Sequence, residues 1–196
     1  SITIFGGLSD NNILLRSKAQ VGDDIWVSGT IGDAGVALML LKGLVKPKSD
    51  FPQSHRDYLE GRFRLPTPRL ALGAKLLNFA SSACDVSDGL LADLLNICSA
   101  SGLGANISSN LIPISSELKQ VIKDVETLSI IDLISAGDDY ELIFTSNTKH
   151  SEYILEISRN LGLRLTKIGQ MTQELGLVLD GEYLKQNEVK MGYGHF

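Results

Sequence analysis

The chain has 196 residues, 43% of them hydrophobic, and a formal net charge of −5. That length and apolar content fit one large domain, or one and a half small ones, with a substantial core. The negative balance argues against non-specific binding to nucleic acid or to an anionic membrane, although a nucleotide ligand stays open because local fields outweigh the sum. No apolar run approaches the ~20 residues of a membrane helix. Two cysteines, Cys84 and Cys98, lack CxxC spacing and a nearby histidine pair. A zinc site or disulfide framework is therefore not expected, and the reducing cytoplasm is the default compartment.

Residues 1–10 begin with Ser1-Ile2-Thr3-Ile4-Phe5, which alternates like a strand. It reads as the remnant of a strand from a longer chain. Gly22-Asp23-Asp24 marks a turn, and Ile25 to Ser28 is β-prone. Arg16, just upstream, is either a solvated charge or a guanidinium that pairs with phosphate oxygens. Gly29-Thr30-Ile31-Gly32-Asp33-Ala34-Gly35 then leads into a helix predicted over Val36 to Leu44. The loop has neither the Lys-Ser/Thr ending of a P-loop nor a full GxGxxG, so close strand-to-helix packing competes with ligand contact.

A helix is predicted over Ser54 to Arg64. Another spans Arg69 to Phe79, with Pro68 at its first position and Thr67 as its cap. Ser81 to Val86 is a short strand. It runs into Asp85-Val86-Ser87-Asp88-Gly89, after which Leu90, Leu91, Leu94, Leu95 and Cys98 form one helical stripe. Asp85, Ser87 and Asp88 fall where a helix start leaves N–H groups unpaired. Carboxylates there suit Mg²⁺, and a hydroxyl beside free N–H groups suits phosphate. The competing reading makes Ser87 or Asp88 an ordinary N-cap.

Gly102 ends that helix, Gly104 to Ile107 is a strand, and Ser116 to Val121 and Thr127 to Ile134 are helical pieces. Next comes Gly137-Asp138-Asp139-Tyr140-Glu141-Leu142, with three carboxylates in four positions before a strand. Such a cluster needs a cation, a positive partner or full solvation. It is either a solvated acidic turn or a place where Asp138 or Asp139 meets a ligand. Ser151 to Leu161 is an amphipathic helix, and Leu163 to Ile168 and Gly176 to Leu179 are strands. Tyr193-Gly194-His195-Phe196 closes the chain. His55, His150 and His195 have no metal-like spacing. The alternation of strand and helix argues for an α/β domain.

Six segments occur in one order: Arg16-Ser17-Lys18-Ala19 with Gly22-Asp23; Val27 to Ala34; Pro66-Thr67-Pro68-Arg69; Asp85 to Leu90; Gly137 to Leu142; and Gly192 to Phe196. Together they resemble the C-terminal part of the thiamine-monophosphate kinase family, which is grouped with aminoimidazole ribonucleotide synthetase, selenophosphate synthetase and a hydrogenase-maturation protein. The resemblance implies the C-terminal domain of the aminoimidazole ribonucleotide synthetase-like fold, an α/β domain whose mixed sheet carries helices mainly on one face. Residues 11–196 would form this ATP- and substrate-binding domain. The implied activity is ATP-dependent phosphorylation of thiamine monophosphate to thiamine diphosphate with Mg²⁺.

By the same resemblance, Asp85 and Asp88 match Mg²⁺ ligands, Ser87 an ATP contact, and Arg16 the arginine at the nucleotide phosphates. Asp138 stands where the family usually has a glutamate at the thiamine substrate. Tyr193 matches a C-terminal aromatic position there. The family's N-terminal part carries further Mg²⁺-binding aspartates and forms a homodimer. This chain would thus supply half of the site and be inactive alone. The alternatives are a related ATP-using synthetase and a non-catalytic nucleotide-binding module.

Overall fold

Five consecutive residues, Asp24–Ser28, are all buried, as happens to a strand covered on both faces. They form β1 of a computed structural model that describes residue 3 and residues 13–47, 51–125 and 128–184. The strand expected at Ile2, Ile4 and Phe5 and the site position Tyr193 lie outside the described residues. Six further strands join β1: β2 (Ala80–Val86), β3 (Gly104–Ile107), β4 (Glu141–Ser146), β5 (Leu165–Thr172), β6 (Gly176–Leu179) and β7 (Glu182–Tyr183). Their order is β2-β4-β1-β5-β3-β6-β7. Among the described residues only the β3–β6 pair is parallel, so the sheet is mixed.

Successive side chains of a strand point to opposite faces, and the helices follow that parity. Ile25 and Val27 of β1 and Ile143 of β4 face α4 (Leu90–Ser101), which contributes Leu90, Leu91, Leu94, Ile97 and Cys98. Trp26 and its cross-strand partner Phe144 face the other way. There they meet Leu72 and Leu76 of α3 (Leu70–Leu76) and Ile154 and Ile157 of α7 (Ser151–Leu161). The α/β class and mixed sheet match the sequence reading; the helices, expected mainly on one face, lie on both, with α4 on one and α3 and α7 on the other, because both faces of the strands are apolar. A third buried cluster contains no strand residue. It joins α1 (Asp33–Leu41), α2 (Gln53–Arg64), α5 (Ser116–Asp124) and α6 (Ile130–Ile134) through Val36, Leu59, Leu118 and Leu133.

Several boundaries differ from expectation for local reasons. Helix α1 starts at Asp33 rather than Val36 and has Gly32 as its N-cap. Helix α3 starts at Leu70, which leaves Thr67 and Pro68 outside it; Arg69 takes the N-cap position without a side-chain cap, since a guanidinium has no acceptor atom, and donates to Glu141 instead. Helix α5 extends to Asp124 and is capped by Ser115, which accepts from the Leu118 N–H. Helix α6 is shortened to Ile130–Ile134 by a capping box between Ser129 and Asp132. Strand β5 runs on to Thr172 because β3 pairs with its second half. Gly102 ends α4 in the left-handed conformation, as expected.

Candidate functional site

Strand β2 is an edge of the sheet and delivers the first acidic motif. Cys84 and Val86 point into the α4 core, so alternation turns Asp85 the other way, toward solvent. The Arg16 guanidinium, in a 3-10 turn at Arg16–Lys18, lies 3.8 Å from Asp85 Oδ1, with both side chains about half exposed. An exposed pair at that distance stabilises by ~0–1 kcal/mol at most, so either partner is free to take another ligand.

Beyond Val86 the chain turns into α4, and here one expectation is corrected. Neither Ser87 nor Asp88 caps the helix; the N-cap is Gly89, without a side-chain cap. Nor are the two N–H groups free for phosphate. Both donate to Asp93 Oδ2 at 3.0 Å. Asp93 reaches back from the first turn of α4 and is almost fully buried. Burial pushes its carboxyl up, while the two amides that donate to it favour the charged form and act in the opposite direction. With the backbone satisfied in this way, the Ser87 and Asp88 side chains make no hydrogen bond or ion pair among the described residues.

The second acidic cluster is not a solvated turn. Glu141 is buried and accepts from Arg69 Nε at 2.7 Å, Arg69 Nη2 at 2.5 Å, Arg62 Nη2 at 2.9 Å and Ser28 Oγ at 2.6 Å. Asp139 is also buried. It accepts from Gly32 N at 2.6 Å and Ala34 N at 3.2 Å, so it sits on the N-terminus of α1. Burial pushes its carboxyl up to about 7, while the two amides and Arg62 act in the opposite direction. Asp33 beside it accepts from Thr30 Oγ1 and Ser115 Oγ, each at 2.6 Å, and is likewise raised by burial.

The glycine loop that suggested a phosphate cradle is therefore filled by the protein's own carboxylates. Gly29 has φ +61, and a Cβ there would overlap the Glu141 carboxyl group. Close packing explains the loop.

Of the three acids, Asp138 remains partly exposed. Asp138 and Tyr140 both adopt positive φ, 68° and 50°, a strained choice for residues with a Cβ. Their amides are bound to the end of β2: Asp138 N donates to Ser87 O at 2.9 Å and Tyr140 N to Val86 O at 2.8 Å. Gly137 lies so close to Ser87 O that a Cβ would collide with it. The two acidic motifs are thus one structural unit.

That unit forms one wall of a cavity of about 830 Å³, a volume that suits a small-molecule ligand. Ser87, Asp88, Asp138, Tyr140 and Lys42 supply its polar lining, and Leu38, Met39, Leu44 and Phe63 its apolar lining. Ser135 adds a buried hydroxyl with no hydrogen-bond partner. The structure thus brings Ser87, Asp88 and Asp138 together. Asp85 and Arg16 pair outside the cavity lining. No group of three or more His, Cys, Asp or Glu among the described residues could hold a metal by itself.

Arg62, Arg69, Asp93, Asp139 and Glu141 were not singled out from sequence as supports of this site. Asp93 is six residues from Ser87, beyond the three-residue spacing of a capping box. The arginines come from α2 and from the start of α3, and only the tertiary fold reveals their convergence on Glu141.

Residues 20–181 match the family described as AIR synthase related protein, C-terminal domain. The thiamine-monophosphate kinase of Buchnera aphidicola subsp. Acyrthosiphon pisum is 36% identical over the whole chain, which covers 59% of that protein. The thiamine-monophosphate kinase of Escherichia coli strain K12 is 36% identical with the same coverage of both chains. A crystal structure of thiamine-monophosphate kinase from Stenotrophomonas maltophilia K279a matches with a TM-score of 0.79 at 37% identity, covering 90% of this chain and 56% of that one. A structure of AaThiL complexed with AMPPCP and TMP matches with a TM-score of 0.77 at 30% identity, covering 93% and 54%. The chain thus spans about three fifths of the length of the relatives it matches.

Proposed function

The chain belongs to the AIR synthase related protein family, whose C-terminal domain it matches, and from that premise we propose that it forms the C-terminal part of a thiamine-monophosphate kinase. The reaction is transfer of the terminal phosphoryl group of ATP to thiamine monophosphate, giving thiamine diphosphate. The observation that carries this reading is the convergence of Ser87, Asp88 and Asp138 on one cavity, with the Ser87 and Asp88 side chains unengaged. The names of the relatives, and the AaThiL complex with AMPPCP and TMP, support the two ligands.

Phosphoryl transfer asks for in-line positioning and neutralised charge rather than covalent chemistry by the protein. In this proposal the Ser87 hydroxyl, which lines the cavity, donates to a nucleotide oxygen. The Arg16 guanidinium can leave Asp85 for a phosphate, since their contact is long and solvated. Asp138 sets a carboxylate in a cavity also lined by apolar side chains and by Lys42, a combination that suits a flat cationic ring carrying a phosphate. It is one methylene shorter than the glutamate usual in the family, and a bridging water can span the difference. Tyr193 flanks the same substrate in this proposal.

The donor set also fits Mg²⁺, which favours one or two carboxylates completed by waters and phosphate oxygens over a closed protein cage. Asp88, unpartnered, and Asp85, weakly partnered, would hold it. When bound, Mg²⁺ screens the two phosphate compounds from one another. Homodimerisation and a cytoplasmic location belong to the same proposal, and the remaining metal ligands come from outside this chain.

The test is turnover by the full gene product. With ATP and Mg²⁺ it phosphorylates thiamine monophosphate and leaves aminoimidazole ribonucleotide precursors untouched. The reverse preference points to a related synthetase. Nucleotide binding without turnover points to a binding module.

A further inference from the structure

We infer that Asp139 is a positioning residue: by tying the turn at residues 138–140 to the first turn of α1, it sets where Asp138 stands relative to Ser87 and Asp88. This deepens the kinase reading and rests on it for its kinetic consequences. Asp139 is 1% exposed and both its oxygens are engaged, by Gly32 N and Ala34 N, so it cannot touch a ligand itself. Its neighbours on either side, Asp138 and Tyr140, both line the cavity and both hold positive φ. Residues with a Cβ leave that conformation unless their surroundings over-determine it.

Four attachments do so. Two are the hydrogen bonds from the amides of Asp138 and Tyr140 to Ser87 O and Val86 O, the end of the same strand that presents Ser87 and Asp88. The other two come from a different direction: the Asp139 carboxylate binds two amides of α1, and Arg62 of α2 donates to Asp139 O. Of these, the tie to α1 has the shorter hydrogen bonds, so it does most to fix the turn. The charged groups facing Asp139 are Asp33 of α1 and Arg62 of α2, whose Nη2 also donates to Asp139 O at 3.4 Å. Glu141 of β4 follows in the chain and is held by Arg62 and Arg69.

The experiment compares Asp139→Asn with wild type in the full gene product. Asparagine keeps the volume but offers a donor to two donors, so only one amide of α1 keeps its partner. The inference predicts a KM for thiamine monophosphate raised tenfold or more, with the KM for ATP within twofold of wild type. It also predicts that Asp139→Asn adds nothing to the KM defect of Asp138→Ala, because a positioning residue has no effect once the group it positions is gone. Equal shifts in both KM values, or additive shifts in the double variant, would overturn it. If Asp139→Asn does not accumulate, Asp139→Glu must give the same split.

A second readout needs no activity. In Asp139→Asn the amides of Asp138 and Tyr140 exchange at least tenfold faster, while those of Trp26 and Phe144 do not change. Unchanged exchange at Asp138 and Tyr140 overturns the inference. If the wild type shows no turnover of thiamine monophosphate, the kinase reading falls, and amide exchange still decides the role of Asp139.

Discussion

Replacing Glu141 by glutamine removes the charge that holds two arginines, with little change in volume. Glu141 is fully buried, and the side chains of Arg62 and Arg69 are 12% and 18% exposed. In Glu141→Gln one carboxylate oxygen becomes an amide NH2 facing guanidinium or hydroxyl donors; Arg69 loses its carboxylate partner, and Arg62 keeps only the longer contact of its Nε with Asp33 Oδ2 at 3.6 Å. Breaking a buried pair costs about 3–5 kcal/mol. The residual exposure of the arginines lets water recover part of that, so a loss of about 3 kcal/mol is expected. At roughly 2–4 °C per kcal/mol for a protein of this size, the midpoint should fall by about 6–12 °C. Urea titration and thermal melting of the full gene product measure this. A loss below about 1 kcal/mol in Glu141→Gln would refute the claim that this carboxylate clamps α2 and the start of α3 to β4.

Asp93→Ala frees the amides of Ser87 and Asp88; it should lower stability by about 2–3 kcal/mol and weaken Mg²⁺-nucleotide binding in calorimetry, whereas unchanged nucleotide affinity would show that Asp93 does not hold the motif. The Asp139 carboxyl is raised from 3.8 to about 7 in the folded protein. Between those values the folded state keeps a proton that the unfolded state has released, so this group's contribution is fully present below pH 4 and is lost as pH rises through 7. The full span is about 4 kcal/mol. Urea midpoints of wild type and Asp139→Asn should therefore diverge across pH 4 to 7, and parallel curves would contradict the raised value.

The α/β class was legible because α4 and β1 satisfy one rule each. Leu90, Leu91, Leu94 and Cys98 repeat at helical spacing, and Ile25, Trp26 and Val27 are uniformly apolar or aromatic. The candidate site was legible only as separate segments. Ser87, Asp88 and Asp138 are read from their motifs, and the structure brings them to one cavity. The fate of the acids beside them was not legible. Asp138, Asp139 and Glu141 look alike in sequence, yet one faces the cavity, one binds a helix N-terminus and one binds two arginines. Which acid goes where depends on partners 70 to 110 positions away, such as Arg69 and Gly32. Local rules do not reach that far. The same distance explains why Gly29 resembles a phosphate-loop glycine while its space is taken by Glu141.

The most direct measurement is a crystal structure of the full gene product with Mg²⁺, AMPPCP and thiamine monophosphate. The account predicts a carboxylate oxygen of Asp88, and one of Asp85, at about 2.0–2.1 Å from Mg²⁺ ions that also touch nucleotide phosphate, with Asp138 beside the thiamine ring. Both carboxylates turned away from every ion, with the nucleotide bound elsewhere, would contradict it.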